Sequence, residues 1–344
     1  MKIILDAMGG DNAPQAPVLG ALETAKLYNA QIILVGRGPE ILDVMRSHGI
    51  QDLPEGVEIA HADDVVDMHD DPASIIHKRK NSSMVIGLKL LADGQGDAFV
   101  SAGSTGALLT GATLIVKRVK GIRRAAMGPA MPNKAGGKTV ILDCGANAEC
   151  TPEFLLQFGL IGSLYAKKYL GVENPKIGLL NIGTEDSKGT PLQKEAHALL
   201  TDAGNQGLIN FVGNVEARDV PLGAVDVVVC DGFSGNVLLK SIEGTAAFMG
   251  SLVSKLFKKN IFTMLGAALC SSGIKNLKKM LDYREIGGTP FLGIKKPVIK
   301  AHGSSDALAF RNAVKQAMDA ANSDISQELE QGLKQLSAKE NTND

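Results

Sequence analysis

Tryptophan is absent from the 344-residue chain, and aromatic residues make up only 4% of it. Proteins that bind single-stranded nucleic acid use aromatic side chains as stacking platforms, so this scarcity argues against that function. The formal net charge of −1 gives no overall positive field to attract a nucleic-acid backbone. We therefore expect no nucleic-acid partner.

Paired cysteines and long apolar runs are also lacking. The four cysteines form no C-x-x-C pair, and the N-terminal sequence MKIILDAMGGD meets an acid at Asp6, too early for a signal peptide. The longest uncharged run, residues 98–116, contains three glycines and five serines or threonines, which favours a strand, a glycine loop and a helix over a membrane span. We expect a cytoplasmic protein with reduced thiols.

Short apolar runs alternate with longer amphipathic stretches along the whole chain. This alternation predicts an α/β fold, with a mostly parallel sheet covered by helices on both faces. The predicted strands are residues 2–5, 31–35, 57–60, 98–100, 139–142, 176–181, 208–212, 225–231 and 297–301. The predicted helices are residues 14–28, 39–48, 82–91, 105–118, 152–170, 191–200, 236–257 and 305–318.

The length suits one large catalytic domain over residues 1–330, followed by a polar C-terminal tail over 331–344. Residues 240–285 form an amphipathic, basic helical segment within that domain. Residues 251–284 contain seven lysines and arginines but only one acidic residue, Asp282, and apolar residues lie between the basic ones. This pattern suits a homodimer interface, an anionic membrane surface or an acidic protein partner, and the sequence leaves all three open.

Six clusters rich in glycine, serine, asparagine and aspartate follow predicted strands. In open parallel sheets, ligands bind at the carboxyl ends of strands, where glycine lets the backbone approach an anion and helix N-termini offer N–H groups. The clusters predict an anionic ligand, most simply a phosphate. They are DAMGGD at 6–11, SAGSTG at 101–106, DCGAN at 143–147, NIGTEDSKG at 181–189, DGFSGN at 231–236 and HGSSD at 302–306.

Known phosphate and hydrolase motifs do not fit these clusters. Residues 183–190 have K-G where a P-loop needs G-K, and Gly36-Arg37-Gly38 lacks the third glycine of a dinucleotide fingerprint. The segment 232–236 has Asn236 where a nucleophile elbow needs glycine. The acidic residues between 63 and 71 read as a solvated loop, so we expect no metal and no cofactor.

Taken in order, the clusters together with GGTPFLG at 287–293 resemble the bacterial phosphate acyltransferases, the acyl-ACP:phosphate transacylases of the PlsX family. The resemblance extends to about residue 325, with two variant positions at Ser104 and at 289–291. It implies a fold similar to the phosphotransacetylases and the isocitrate and isopropylmalate dehydrogenases. It also implies a homodimer that associates peripherally with the membrane, with residues 251–284 as the candidate contact to an anionic membrane surface or to a membrane acyltransferase.

The reaction implied by the resemblance moves a fatty acyl group from acyl carrier protein to inorganic phosphate, giving acyl phosphate for phospholipid synthesis. Phosphate is itself a nucleophile, so no Ser–His–Asp triad is needed and none is visible in the sequence. The protein must hold phosphate beside the thioester carbonyl, stabilise the oxyanion and help the thiolate to leave.

Given this reaction, we assign provisional roles. Lys188 would neutralise phosphate or the oxyanion, Asn236 would donate to the thioester carbonyl, and His302 would assist departure of the thiolate. Three aspartates, Asp6, Asp11 and Asp231, would orient these donors. The expected cradle for phosphate consists of Gly9, Gly10, Gly103, Ser104, Thr105 and Gly106. Further substrate-binding candidates are Asn181, Gly183, Glu185, Gly232, Ser304 and Ser305.

Acyl carrier proteins are acidic, so a basic docking face is expected. Two basic clusters are candidates, one at residues 117–124 and one at 78–80. Three rival functions remain open: a phosphotransacetylase-type enzyme that uses acyl-CoA, a dehydrogenase on the same fold, and a non-catalytic membrane adaptor. The dehydrogenase would need a metal-binding aspartate cluster and a cofactor loop, neither of which the sequence displays.

Overall fold

The computed structural model describes residues 1–275, 284, 287–323 and 325–340 of the chain. The strands are β1 (Lys2–Asp6), β2 (Gln31–Gly36), β3 (Val57–His61), β4 (Ala98–Ser101), β5 (Ala126–Met127), β6 (Ala130–Pro132), β7 (Lys138–Leu142), β8 (Lys176–Asn181), β9 (Asn210–Glu216), β10 (Val227–Val229), β11 (Gly288–Leu292) and β12 (Val298–Ala301). The helices are α1 (Gln15–Tyr28), α2 (Gly38–Ser47), α3 (Ile75–Lys78), α4 (Ser83–Ala92), α5 (Thr105–Gly111), α6 (Pro152–Tyr169), α7 (Pro191–Asn205), α8 (Gly232–Phe257), α9 (Ile261–Leu269), α10 (Ala307–Asn322) and α11 (Ile325–Glu340).

The first sheet has the strand order β3-β2-β1-β4-β12-β11-β5. Its first five strands are parallel, whereas β11 runs antiparallel to both β12 and β5. Alternate residues of these strands face opposite sides, so Ile3 and Leu5 pack with α1 and α10 while Ile4 packs with α4. Glycine allows the closest of these contacts, because a Cβ on Gly20 of α1 would lie 2.6 Å from the carbonyl oxygen of Ala307.

The second sheet has the order β6-β7-β10-β8-β9, and only β6 is antiparallel to its neighbour. Val227 and Val229 of the central strand β10 face a core formed with α6, α7 and α11, while Val228 faces Leu238 of α8. Each sheet is therefore the middle layer of an α/β/α sandwich, and the predicted fold class of mostly parallel strands covered on both faces is confirmed.

The strands divide between two sheets, a division on which the sequence pattern makes no prediction. The two halves meet where the chain crosses through β5 and β6. There Leu142 of the second sheet and Leu292 of the first both pack at Gly128, each with a side-chain atom 2.8 Å from the position of a Cβ. The short strands β5, β6 and β11, which escape a periodicity analysis, form this junction.

Helix α11 differs from the predicted C-terminal tail. The expectation placed the end of the packed domain at residue 330, but the helix continues to Glu340. Leu329 and Leu333 are buried in the second core, because Ile325, Leu329 and Leu333 recur every four residues and share one helical face. Residues 341–344 of the predicted tail lie outside the described residues.

Two further differences concern helices. The predicted helix 105–118 is α5 followed by a π-helical turn, Ala112–Val116, and it ends at Lys117, whose φ is 74°. Helix α8 begins at Gly232, four residues before the predicted start, and its C-terminal half with α9 projects from the body with its residues exposed or half-buried. None of the helices in the described part of the chain is long and apolar enough to cross a membrane.

Candidate active site

The six polar loops leave the carboxyl ends of two sets of adjacent strands. In the first sheet, β1, β4 and β12 are neighbours, and the loops 6–11, 101–106 and 302–306 follow them. In the second sheet, the loops 143–147, 231–236 and 181–189 follow the neighbouring strands β7, β10 and β8. Each sheet thus gathers three of the predicted loops at its carboxyl edge, where open parallel sheets bind ligands.

Asp6 organises the first set of loops from inside the protein. Its carboxylate accepts hydrogen bonds from the Ser101 hydroxyl at 2.7 Å and from the Met8 amide at 3.1 Å, and the same hydroxyl accepts from the Gly103 amide at 3.1 Å. Burial raises the pKa of Asp6, and these hydrogen bonds act in the opposite direction. The Asp6 side chain is buried, and its described contacts are all with these loops, so its role is to hold the loops in position.

Glycines allow these loops to lie against one another. A Cβ on Gly9 would be 2.8 Å from both the Asp6 carboxylate and the Gly103 amide, which excludes any larger residue without rearrangement. The Asp11 amide donates to the Gly303 carbonyl at 2.8 Å, and the Asn12 side chain donates to the carbonyls of Ser304 and Ser305. The backbones of residues 9–11, 103 and 303–305 therefore lie against one another, and Gly9, Gly10 and Gly103 of the predicted cradle belong to this surface.

His302 lies exposed at the rim of this surface. Its Nδ1 accepts a hydrogen bond from the Ser304 amide at 3.3 Å and lies 2.8 Å from the Ser304 hydroxyl. Partial burial lowers the pKa of His302, as do the positive charges of Lys240 and Lys300, while Glu243 and Asp11 oppose them. The imidazole is therefore neutral near pH 7, and an accepting Nδ1 places its proton on Nε2.

The second set of loops is organised by Asp143. This buried carboxylate accepts from the backbone amides of Met127, Ala146 and Asn147 at 2.8, 3.2 and 2.6 Å. Burial raises its pKa, and the hydrogen bonds act in the opposite direction. Beside it begins α8, where a Cβ on Gly235 would lie only 1.9 Å from the Asp143 carbonyl oxygen. Glycine at 235 thus allows α8 to start directly against this loop.

Asp231 caps α8, and its carboxylate accepts from both the amide and the hydroxyl of Ser234 at 2.8 Å. One turn along, Asn236 is exposed, so its amide is available to a ligand at the helix N-terminus. Two turns along, Lys240 and Glu243 form an ion pair of 2.7 Å. Both charges affect the pKa of His302 and of Cys144, so this part of α8 lies between the two sets of loops.

The loop after β8 is held by Asn181, whose side chain accepts from the Ile182 amide at 2.8 Å and donates to the Lys188 carbonyl at 3.1 Å. Lys188 and Glu185 are exposed, with Nζ and Oε1 3.9 Å apart. Their described contacts remain within this loop and with Asn214. The structure thus presents Lys188 at the carboxyl edge of the second sheet.

The predicted site residues divide into two groups. Asp6, Asn181 and Asp231 are buried and hydrogen-bonded, Asp6 to Ser101 of a neighbouring loop and the other two within their own loops. Gly9, Gly103 and Gly232 are buried and closely packed. Ser305 is buried, and its Oγ has no hydrogen-bond partner among the residues that the structure describes. Ser104 precedes α5, and Thr105 and Gly106 form its first turn; Ser104 is buried, whereas Thr105 and Gly106 are half-buried. The exposed members, which can meet a ligand directly, are Asp11, Glu185, Lys188, Asn236, His302 and Ser304.

Sequence reasoning assigned no role to Lys240 or Lys300. Lys300 lies on the core strand β12, and its ammonium donates to the Ala102 carbonyl at 3.2 Å and to the Ala301 carbonyl. Burial lowers its pKa to about 8, although Asp11 and Asp6 act in the opposite direction. The signal in the sequence is a lysine within the otherwise apolar run PVIKA, directly before His302.

Three cysteines, Cys144, Cys150 and Cys230, lie near the second set of loops and are buried or half-buried. Burial raises the pKa of Cys150 to about 12 and also raises the pKa of Cys144 and Cys230, so these thiols stay protonated near neutral pH. Across the described residues, no group of three or more histidine, cysteine, aspartate or glutamate side chains is arranged to hold a metal ion. The site offers hydrogen-bond donors and cations instead, which suit an anionic substrate.

The fold is similar to that of solved acyl-transfer enzymes. A phosphotransacetylase from Streptococcus pyogenes matches with a TM-score of 0.62 at 19% identity, covering 94% of each chain. A branched-chain phosphotransacylase from Enterococcus faecalis matches with a TM-score of 0.56 at 18% identity, covering 93% of this chain and 99% of the other. The chain therefore has the phosphotransacetylase fold.

Sequence comparison identifies the family to which the chain belongs. A family model described as "Fatty acid synthesis protein" matches residues 1–328. The phosphate acyltransferase of Alkaliphilus oremlandii is 48% identical over 337 residues, 98% of each chain, and that of Brevibacillus brevis is 46% identical over 333 residues, 97% of each. The chain belongs to the phosphate acyltransferase family, and it is an acyltransferase.

Proposed function

We propose that the protein transfers a fatty acyl group from acyl carrier protein to inorganic phosphate, releasing acyl phosphate for lipid synthesis. The surface formed by the loops after β1, β4 and β12 carries this proposal, because it presents the exposed side chains of His302 and Ser304 beside the Lys300 ammonium. Phosphate acyltransferases among the relatives support phosphate as the acceptor.

The proposed step is direct attack of a phosphate oxygen on the thioester carbonyl carbon. The new C–O bond forms a tetrahedral oxyanion, whose collapse breaks the C–S bond and releases the carrier thiolate, which then takes up a proton. Raised pKa values leave the nearby cysteines protonated, which favours attack by phosphate over an acyl-cysteine intermediate.

Three exposed side chains would act on this step. The Asn236 amide, in the first turns of α8, would donate to the oxyanion, and such a donor is worth roughly 3–4 kcal/mol in other enzymes. The Nε2–H of His302 would donate to the departing sulfur. Because His302 is neutral near pH 7, it acts in this scheme as a hydrogen-bond donor and not as a cation. Lys188 would supply positive charge from the loop after β8, the strand next to β10.

The basic patch, Lys117, Lys120, Arg123 and Arg124, is proposed to dock acyl carrier protein. All four residues are exposed, and the Arg124 guanidinium lies 5.7 Å from the Phe154 ring centroid. Burial raises the pKa of Cys150 and Arg124 opposes this rise, so the patch adjoins the loop after β7. The alternative cluster at 78–80 is less suited, because Arg79 pairs with Asp70 and Asp64 at 2.9 and 3.2 Å.

The projecting helices suggest two further contacts. A second copy of the chain would cover the exposed apolar residues of α8 and α9 that lie near the body of the protein. An anionic membrane surface would cover those at the tip. The enzyme would then work in the cytoplasm, bound to the membrane surface. Lys278, Lys279 and Asp282 of the predicted basic segment lie outside the described residues. The exposed apolar residues are Phe248, Met249, Leu252, Leu256, Ile261, Phe262, Met264, Leu265 and Leu269.

The test is a comparison of thioester donors. Purified protein is incubated with phosphate and either long-chain acyl carrier protein or the matching acyl-CoA, and the products are identified by mass spectrometry. We expect acyl phosphate and free carrier protein, with a kcat/KM at least tenfold higher than for acyl-CoA. Preference for acyl-CoA would favour the phosphotransacetylase alternative, and absence of acyl phosphate from both donors would overturn the proposal.

A further inference from the structure

Lys300 is a cation built into the centre of the first sheet. Strand β12 lies between β4 and β11, and Lys300 is opposite Ser101 on one side and Thr289 on the other. Its ammonium lies at the carboxyl edge of the sheet, where it donates to the carbonyl oxygens of Ala102 and Ala301. A lysine at this position is held by the sheet and not by a flexible loop.

The described hydrogen-bond partners of the Lys300 ammonium are both neutral carbonyl groups. No carboxylate among the described residues lies within 4 Å of its Nζ, and the two carboxylates that act on it, Asp6 and Asp11, have other partners or face solvent. Lys300 is half-buried, and an ammonium in that position with only carbonyl partners is unfavourable unless an anion joins it. Burial also lowers the pKa of Lys300 to about 8, although Asp11 and Asp6 act in the opposite direction.

The ammonium also lies within the ring of backbone that forms the predicted cradle. Its partner Ala102 precedes Gly103, and a Cβ on Gly10 would be 2.9 Å from the Ala102 Cβ and 3.0 Å from the Gly303 carbonyl oxygen. The three loops therefore meet around Ala102. Two of the three ammonium protons are used on carbonyl oxygens, and the third remains for a ligand.

We propose that Lys300 is the cation that binds the phosphate nucleophile, in a role that rests on the proposed phosphate acyl transfer. The ammonium pairs with one phosphate oxygen beside the Gly103 loop, and it stays paired with the same phosphate group when this has become part of acyl phosphate. Because the contact exists before and after attack, it acts mainly on phosphate affinity and less on the rate of the bound complex.

The test compares Lys300→Met with a matched control, Lys296→Met. Lys296 lies just before the amino end of the same strand, and its ammonium likewise donates to two carbonyls, those of Leu91 and Gly96 at 2.9 and 3.4 Å. We expect Lys300→Met to raise the phosphate KM and the calorimetric Kd for inorganic phosphate about 10- to 100-fold, the range of a charge-assisted hydrogen bond. The KM for the acyl donor should change less than about threefold, and Lys296→Met should leave all three constants near wild type.

A pH profile separates a binding role from a structural one. Below pH 8 the wild-type ammonium is present, so phosphate binds tightly, and its affinity should fall as the pH rises through about 8. Asp6, Asp11 and His302 face the same region and are present in both wild type and Lys300→Met. Phosphate itself titrates in the same way in both measurements. The part of the profile that disappears in Lys300→Met therefore belongs to Lys300. A melting temperature at or above wild type for Lys300→Met shows that the variant is folded.

The outcomes distinguish the two proposals. Wild-type phosphate KM and Kd in folded Lys300→Met would overturn the role of Lys300, while formation of acyl phosphate by the same variant would leave the proposed function intact. The opposite combination is also distinguishable. If Lys300→Met loses calorimetric phosphate binding while wild type and Lys296→Met keep it, the Lys300 site is supported. If the wild-type protein also makes no acyl phosphate from any thioester, the proposed function is overturned.

Discussion

At the scale of the residue, His302 illustrates how local contacts define a chemical role. Its Nδ1 accepts from the Ser304 amide, and nearby cations lower its pKa. Sequence alone suggests a proton donor or a positive neighbour for the thiolate, since histidine does both. The structure favours a neutral ring with its proton on Nε2.

This assignment gives a prediction for two substitutions at one position. His302→Ala should lower kcat about 10- to 100-fold with little change in phosphate KM, because the Nε2–H donor to the leaving sulfur is lost. His302→Gln keeps an N–H donor and should recover part of the rate. Steady-state kinetics of both variants provide the check, and equal activities of His302→Ala and wild type would refute the role.

Lys300 shows what a sequence cannot reveal at this scale. A lysine in a strand is ordinarily expected to face solvent, and only the packing of β4 and β11 on either side of β12 places its ammonium beneath a loop. The roles expected for Asp6 and Asp231 depend less on packing, since aspartates at strand ends before helices commonly orient loops and cap helices.

At the scale of the element, the strands and most helices could be predicted because their apolar residues have clear periods. The predicted strands at 2–5, 176–181 and 297–301 agree with the structure to within a residue. Strand β5 has two residues and β6 three, too short for any period. The division into two sheets depends on which strands pair, which no single strand encodes.

The start of α8 is the element on which the second set of loops depends. Asp231→Ala removes both hydrogen bonds to Ser234 and should reduce the free energy of unfolding by about 1 kcal/mol. Because the cap also orients Asn236, kcat should fall at least tenfold. Denaturation curves and kinetics measure the two effects.

The matched control for this cap lies on α9. Asn260→Ala removes a comparable N-cap, in which the side chain accepts from the Thr263 amide at 2.9 Å. It should destabilise its own helix without changing kcat toward water-soluble substrates. A normal kcat in Asp231→Ala would mean that the position of α8 does not matter for the reaction.

At the scale of the whole molecule, the proposed site draws on loops of both sheets, whereas the surfaces proposed for partners lie outside these loops. The apolar projection of α8 and α9 predicts self-association. Phe248→Asp with Leu252→Asp should convert a dimer into a monomer in analytical ultracentrifugation, because each places a charge on an apolar face. Leu27→Asp, on the equally exposed Leu27 of α1, should not.

The tip of the projection gives a separate readout. Phe262→Asp with Leu265→Asp should abolish sedimentation with vesicles containing anionic phosphatidylglycerol, while leaving the dimer and the activity on soluble substrate unchanged. Retained vesicle binding by this variant would assign the tip another partner.

The basic patch makes a prediction about encounter with the carrier protein. Arg123→Glu with Arg124→Glu should raise the KM for acyl carrier protein at least tenfold at low salt and leave the phosphate KM unchanged, because charges at a docking face mainly affect association. Lys26→Glu with Lys194→Glu, exposed lysines on α1 and α7, provides the control. Equal effects on both substrates would count against docking at this patch.

The central claim is direct acyl transfer to phosphate, and one isotope experiment tests it. The protein is incubated with acyl carrier protein that carries a long-chain acyl group and with phosphate labelled with ¹⁸O at all four oxygens. The masses of the products are measured by mass spectrometry. Direct attack predicts acyl phosphate that retains all four labelled oxygens, with one free carrier protein per product and no acylated enzyme. Free fatty acid as the product, or an acyl group covalently attached to the protein on the pathway, would contradict the account.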